Sequence, residues 1–364
     1  MHGLSLAPGR VALALALPAI LAVPGHAQQS QRYTLGGQRV EIFNAVGHVN
    51  LVRGSGSEVV IQATRVGADA SALEFATDRE GTEGASRFRV VYPLDRLDDG
   101  IYFEENESGG LRLRADGTFS GDGGDSFFSR ASRRGGRVDV GRDGDFRGYA
   151  DLEISVPAGR EVVLHLAVGH AALEGTSGDF TIELWSADVE ARDITGSYLF
   201  DAGSGDVIVT GGSGTIRIDT GSGSGTVSGI RGDLLEIETG SGDADATDVQ
   251  VARARFETGS GRVRARNVQC GRGEAEAGSG DVEIQLTGGA VDDWTIDTGS
   301  GEAIITLPPQ ANARVSVSTG SGDIDVTRQG VTMERRRHDA MVLVVGDGRG
   351  RMRIDTGSGD VTIR

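Results

Sequence analysis

From Gly178 onward, apolar residues recur at alternate positions in short runs. Each run opens on glycine or alanine, often followed by an acid: GDFTI (178–182), ADVEA (187–191), GDVIV (205–209), GTIRI (214–218), GDVEI (280–284), GDIDV (322–326) and GDVTI (359–363). A period of two marks a strand with one buried face. Val207/Val209, Ile216/Ile218, Val282/Ile284, Ile324/Val326 and Val361/Ile363 are therefore expected to point inward, and the residues between them outward. The runs follow one another so closely that no helix fits between them.

A larger unit is superimposed. TGSGD stands at 239–243, 319–323 and 356–360, with near-copies at 202–206, 220–224, 258–262, 277–281 and 298–302. The first glycines of GSG lie at 203, 221, 240, 259, 278, 299, 320 and 357, so the steps are 18, 19, 19, 19, 21, 21 and 37 residues. At roughly 3.3 Å per residue, a five-residue strand covers about 17 Å, and neighbouring strands lie about 4.8 Å apart. Two strands and their turns make one coil of 18–21 residues, so the pattern predicts an all-β, parallel β-solenoid of the β-helix or β-roll kind. TGSG is then its corner, with glycine expected for backbone angles closed to a Cβ, and threonine and serine for hydrogen bonds to the turn. A phosphate loop is excluded, because each copy leads into a strand and not into a helix N-terminus.

The same grammar runs faintly through 40–63, RFRVVY (87–92) and DLEISVP (151–157). Residues 28–94 read as a β-rich start of the solenoid, 95–148 as a Gly/Asp/Arg-rich excursion, and 149–364 as the repeat array. Within the excursion, 121–145 shows too few apolar residues to pack and is expected to be mobile. ERRRHD (334–339) reads as a loop in the last long interval. GSGDVTIR (357–364) completes a corner and one strand, an open edge that residues 331–340 are expected to cover, keeping the chain monomeric.

Composition agrees: 58 of 364 residues are glycine and only 5% are aromatic. Residues 1–27 have the form of a secretory signal, with Arg10, the apolar run 11–23 and small residues at Gly25 and Ala27, so export to the periplasm or cell surface is expected. The apolar run is too short for a membrane span. Removing Arg10 takes the formal net charge of −17 to −18, a field that makes nucleic acid a poor partner. All 36 basic residues counted as Lys+Arg are arginine, which removes lysine-dependent chemistry. Cys270 is the single cysteine, so no internal disulfide forms, and an inert thiol is expected.

The order VEIFNAVGHVNL (40–51), LEISVPAGREVVLHLAVGHAALEGTSGDFTIEL (152–184) and then serial TGSGD units resembles the bacterial exported β-strand-repeat family of adhesin-like proteins. The resemblance implies an envelope or surface protein without established catalysis. It rests on corners and strands, and the excursion 95–148 departs from the compact pattern.

Candidate chemistry lies in two acid columns. After each corner stand Asp206, Asp243, Asp281, Glu302, Asp323 and Asp360, with Ser224 and Arg262 as exceptions. Two residues before each corner stand Asp201, Asp219, Glu238, Glu257, Glu276, Asp297 and Asp355, with Ser318 as the exception. Like charges at strand spacing repel by about 0.9 kcal/mol per pair even in water. Either nearby arginines and solvent offset this, or a hard cation such as Ca²⁺ does. The glycine–Asp spacing differs from the calcium-binding nonapeptide repeat, so that geometry does not transfer. His165 and His170 have opposite parity on a strand, which argues against a shared zinc site. Trp294 falls on a core position, and repeat-generated carboxylate pairs do not single out a catalytic one. RRGGR (133–137), VARARF (251–256) and RVRAR (262–266) either balance the acids or dock an anionic glycan or lipid headgroup. The reading is an exported non-enzymatic solenoid whose acidic surface binds an envelope or surface component, with no assigned catalytic residue or cofactor. A structural or regulatory envelope component is the alternative, and a polysaccharide-acting β-helix enzyme the third.

Overall fold

The structure, a computed structural model, describes residues 30–79, 84–104, 108–121, 136–288, 291–337 and 339–364. The expected signal 1–27, residues 122–135 of the expected mobile stretch, and His338 lie outside the described residues.

The repeat folds as a β-solenoid. Val207–Thr220 pairs in parallel with Gly225–Thr239, and this with Ala244–Thr258. Each coil has a leading arm that leaves the TGSG corner, such as 207–210, and a returning arm that runs back to it, such as 215–220. Equivalent residues stack in columns. In the leading arms Val207, Gly225, Ala244, Val263, Val282 and Ala303 follow one another. In the returning arms Ile218, Ile237, Phe256, Ala275, Ile296 and Ile354 do. Both columns are buried, and each fully buried Val, Ile or Phe contributes about 1.5–3 kcal/mol. Large and small residues interlock: a Cβ on Gly273 would come within 2.4 Å of the Trp294 ring, and one on Gly225 within 2.5 Å of an Ile237 methyl. Of the inward residues expected, Ile324 and Val326 are only half-buried, because they sit near the end of the stack.

The corner glycines serve for a reason the sequence reading missed. None of those at Gly223, Gly242, Gly261, Gly280 or Gly301 has a left-handed φ. A Cβ on each would instead lie 1.8–2.1 Å from the carbonyl oxygen of the equivalent glycine one coil below. Coil-on-coil approach excludes the side chain there. The corner threonines are buried, and their hydroxyls close the turn: Thr258 Oγ1 accepts from Gly261 N at 3.0 Å and donates to Gly242 O at 2.9 Å. At the opposite edge a second corner uses left-handed residues: Gly175, Asp193, Gly211, Gly229, Asp248 and Asn267 follow the register of successive coils and Gly288 falls outside it after a register shift, with φ from 53° to 71°.

The ends depart from sequence order. Arg39–Gly54 lies parallel to Arg160–Glu174 on one side, and to Ser86–Val91 and Tyr149–Pro157 on the other. Beyond these come antiparallel Glu74–Arg79 and Val59–Val66, the latter carrying Ser30–Leu35. At the far end Gly350–Thr356 is inserted between Asp293–Thr298 and Ala313–Thr319, and Val361–Ile363 between Ala303–Thr306 and Ile324–Val326. The C-terminal strand is therefore paired on both sides and is not the open edge expected from its place in the chain. The 37-residue step is a detour: the chain lays down the outermost coil, then Val331–Arg336 and Ala340–Val345 as an antiparallel cap, and returns underneath. Glu334, Arg335 and Arg336 of ERRRHD are thus strand, not loop. All three are exposed and put charge on the outer strand, which discourages further pairing.

Part of the excursion also packs. Ile101–Tyr102, Gly109–Leu113, Phe119–Gly121 and Gly136–Gly141 form a small sheet. Val138 and Val140 of RVDV alternate inward and are buried, so the expectation of a mobile stretch does not hold for 136–141. Phe119 meets Phe43 of Arg39–Gly54 edge-on and Trp185 of the array tilted, with centroids 6.0 and 5.1 Å apart.

Candidate functional site

The residues after the corner form a hydrogen-bonded ladder. Asp206 Oδ1 accepts from Ser224 N at 2.7 Å, Asp243 Oδ1 from Arg262 N at 2.8 Å, Asp281 Oδ1 from Glu302 N at 2.9 Å, and Asp360 Oδ1 from Asp323 N at 2.8 Å. Asp188 serves Asp206 N in the same way, and Ser224 Oγ accepts from Asp243 N at 3.3 Å. Each carboxylate thus receives a backbone N–H of the next coil, a charge-assisted bond that offsets the like-charge cost. The N–H of Arg262, helped by its guanidinium 2.9 Å from Oδ2, holds the Asp243 carboxyl below its ordinary range. Of the six candidate cation ligands, Asp206, Asp243, Asp281 and Asp360 accept in the ladder through Oδ1, and Glu302 and Asp323 donate to it through their backbone N–H. Among the described residues no group of three or more His, Cys, Asp or Glu converges as a metal set.

The ladder continues into the N-terminal coils. His170 is in register with Asp188 on one side and His48 on the other, and His48 Nδ1 lies 2.9 Å from Asp151 Oδ1. His165 is elsewhere: it is buried, stacked on Phe43 at 4.1 Å, with Nδ1 2.9 Å from Glu183. Parity separates the two histidines as expected.

The second acid column has no such ladder. Asp201, Asp219, Glu238, Glu257, Glu276, Asp297 and Asp355 stand in register on successive coils of the returning arms. Partial burial, then the neighbouring carboxylates, push Asp201, Asp219, Glu238, Glu276 and Asp297 above their ordinary range. Relief comes from the adjacent column, where Arg255 reaches Glu236 at 3.2 Å, Glu238 at 3.6 Å and Glu274 at 3.4 Å, and also contacts Glu257.

The arginine runs divide sharply. Arg262 pairs with Asp243, Arg264 with Asp245 and Glu283, and Arg266 with Glu283, so RVRAR balances acids. Arg137 pairs with Asp139 at 3.4 Å, while Arg133 and Arg134 lie outside the described residues. Arg253 of VARARF takes a different course and faces a cleft of about 800 Å³ at the left-handed edge, with Arg231 and Arg272. Sequence spacing hid this cleft because Arg231, Arg253 and Arg272 look like the paired arginines of the same runs until the ion pairs are seen. Trp294 is buried, its Nε1 donating to Cys270 O at 3.2 Å. Cys270 is a buried free thiol, pushed up to about 11 by burial.

Residues 200–364 match the sequence profile of the Toastrack DUF4097 family. No curated protein matches the chain. Among solved structures, a candidate cell adhesion protein from Clostridium sporogenes aligns over 93% of this chain and 99% of its own, with 9% identity and a TM-score of 0.20. At that score the likeness carries no argument about fold or function. The array's β-repeat character rests on its own pairing and on the Toastrack match.

Proposed function

We propose that the chain is an exported, non-catalytic β-solenoid that binds a basic component of the cell envelope or surface through the carboxylate column of its returning arms. The observation that supports this is the column from Asp201 to Asp355. It keeps one sign over successive coils although burial and mutual repulsion raise five of its carboxyls. The neighbouring column, with Arg217, Glu236, Arg255 and Glu274, alternates its charges in the same strands. A rigid row of like charges about 4.8 Å apart suits multivalent contact with a polycationic partner. The interior columns are filled by apolar side chains, which leaves recognition to the outer faces.

The test is retention on isolated envelope material, with and without chelator, of the wild type and of Glu238→Gln/Glu257→Gln/Glu276→Gln. The wild type is expected to be retained in a salt-sensitive manner in both conditions, and the variant to lose most of that retention. Equal retention of both proteins would overturn the reading, and loss of the wild type in chelator alone would replace direct contact by a bridging divalent cation.

A further inference from the structure

At the edge opposite the TGSG corner the coil lengths change. The register slips between Gly214/Thr215 and Gly232/Leu234, and again between Ala265/Val268 and Ile284/Leu286, while Arg272 to Asp293 spans 21 residues. Beside these irregularities lies the cleft of about 800 Å³, lined in part by the buried Val251 and Cys270. A depression of about 310 Å³ adjoins it and shares Arg231, Gln250 and Gln269. Together they run across the coils that contain Arg231, Gln250, Gln269 and Asp292, about 14 Å at strand spacing.

The polar lining has an unusual charge for this molecule. Arg231, Arg253 and Arg272 are exposed at the cleft, and Asp292 is the acid in its lining. Arg253 and Arg272 are register neighbours, one strand spacing apart. None of the three arginines has an ion pair or side-chain hydrogen bond among the described residues, whereas Arg255, Arg262, Arg264 and Arg266 in the same coils all pair with carboxylates. In a chain of net charge −17, three guanidinium groups without an ion pair outnumber the acids lining the two depressions, Asp292 and Asp248, a local reversal of the field.

We infer that this cleft is a binding site for a linear anionic polysaccharide bearing uronate carboxylates. Guanidinium forks match carboxylates in a bidentate geometry. Gln250 and Gln269, in register on adjacent coils, offer both donors and acceptors to sugar hydroxyls. The ligand's repeat of carboxylate and hydroxyl groups meets the solenoid's own repeat of charged and amide side chains. A membrane headgroup fits less well, because the exposed large apolar residues, Leu199, Ile208 and Met333, do not line the cleft. The site lies at the start of the returning arms, with Arg253 and Arg272 preceding Glu257 and Glu276 of the carboxylate column in the same strands, and it uses different side chains.

The test is calorimetric titration of tetragalacturonate, neutral maltotetraose and a tetraglutamate peptide into the full chain. It compares wild type, Arg231→Gln/Arg253→Gln/Arg272→Gln and the control Arg192→Gln, an arginine paired with Glu190 away from the cleft. Tetragalacturonate is expected to bind wild type and control alike, to weaken roughly tenfold or more in the triple variant, and to weaken with salt. Maltotetraose is expected not to bind. The replaced side chains are exposed, so unchanged melting confirms that the triple variant is folded. Absence of tetragalacturonate binding, or equal binding by the triple variant, would overturn the site; tighter binding of the peptide would overturn the ligand class. Glu238→Gln/Glu257→Gln/Glu276→Gln is expected to keep full tetragalacturonate affinity, which separates a failure here from a failure of the envelope-binding reading.

Discussion

The two edges of the flattened coil turn the same chain under opposite constraints. At the TGSG edge the glycines hold ordinary backbone angles, yet carry no side chain because the coil below is within 2.1 Å of where a Cβ would sit at Gly242. At the other edge the backbone is left-handed and the backbone of the coil below is less close: a Cβ on Gly229 would find Gly211 no nearer than 3.7 Å, and one on Gly211 would meet the Asp193 side chain at 2.6 Å and backbone only at 3.7 Å. Crowding fixes register at the first edge. Freedom at the second lets coils grow and lets a cleft form. A glycine column therefore marks the invariant side of a solenoid, and a mixed Gly/Asp/Asn column marks the side on which loops and binding surface can vary.

The most severe way to challenge this contrast is Gly261→Ala. The added methyl would lie 2.0 Å from Gly242 O, a stacked backbone atom that cannot move without breaking its coil. A loss of about 3 kcal/mol or more in urea unfolding is expected. A loss under about 1 kcal/mol would show that the stack is loose enough to breathe, and that φ, not approach, governs this corner.

Next in size is Thr258→Val, which keeps the shape but leaves Gly261 N–H without the hydroxyl that accepts it. About 2 kcal/mol of destabilisation is expected, with Thr258→Ser recovering part of it. If valine proves neutral, crowding alone holds the TGSG edge and its hydroxyl column is incidental.

Much of this is legible in the sequence alone. The alternation at Val207/Val209 and Ile216/Ile218 specifies strand, face and spacing, because each is a local consequence of period two. What stayed hidden is non-local. The TGSG copies at 319–323 and 356–360 look like consecutive coils, yet Val361–Ile363 slots beneath Ile324–Val326, since identical corners stack equally well in either order. The ladder role of Asp243 was also invisible, because a carboxylate that accepts the next coil's N–H looks in sequence like one awaiting a cation. The cleft arginines went unseen for the converse reason: Arg253 and Arg255 are two residues apart in one run, and only pairing shows that one is neutralised and the other is not.

The carboxylates at the TGSG edge and along the returning arms should also differ in their response to pH. Asp201, Asp219, Glu238, Glu276 and Asp297 are raised in the folded chain, by burial first and like charges second. The folded state therefore binds more protons than the unfolded one in the window that starts at the ordinary values of 3.8 and 4.5 and extends upward. Stability must fall as pH rises through that window and recover as pH is lowered again. Asp243 is shifted the other way, so its contribution is present above 3.8 and is lost as pH falls through its lower folded value. Melting followed from pH 7 downward should thus show a maximum on the acid side of neutral and then a decline. Glu238→Gln/Glu276→Gln should flatten the rise without touching the decline; a monotonic fall from pH 7 would mean that Arg255 already neutralises the column.

The smallest effect, and the sharpest discriminator, is expected at Gly229. Its φ of 70° costs an L-residue about 1 kcal/mol for alanine, but the same column already carries Asp248 and Asn267 at 58° and 53°, residue types that tolerate this region. Gly229→Ala should therefore lose about 1 kcal/mol, and Gly229→Asn only a few tenths, since a Cβ there makes only ordinary contact with Gly211 at 3.7 Å. The measurement is paired urea unfolding of the two variants. An asparagine cost equal to that of alanine would mean that steric crowding has returned at this edge and that the two corners obey one rule. A near-silent asparagine, beside a crippling Gly261→Ala, would establish that approach constrains one edge and backbone angle the other.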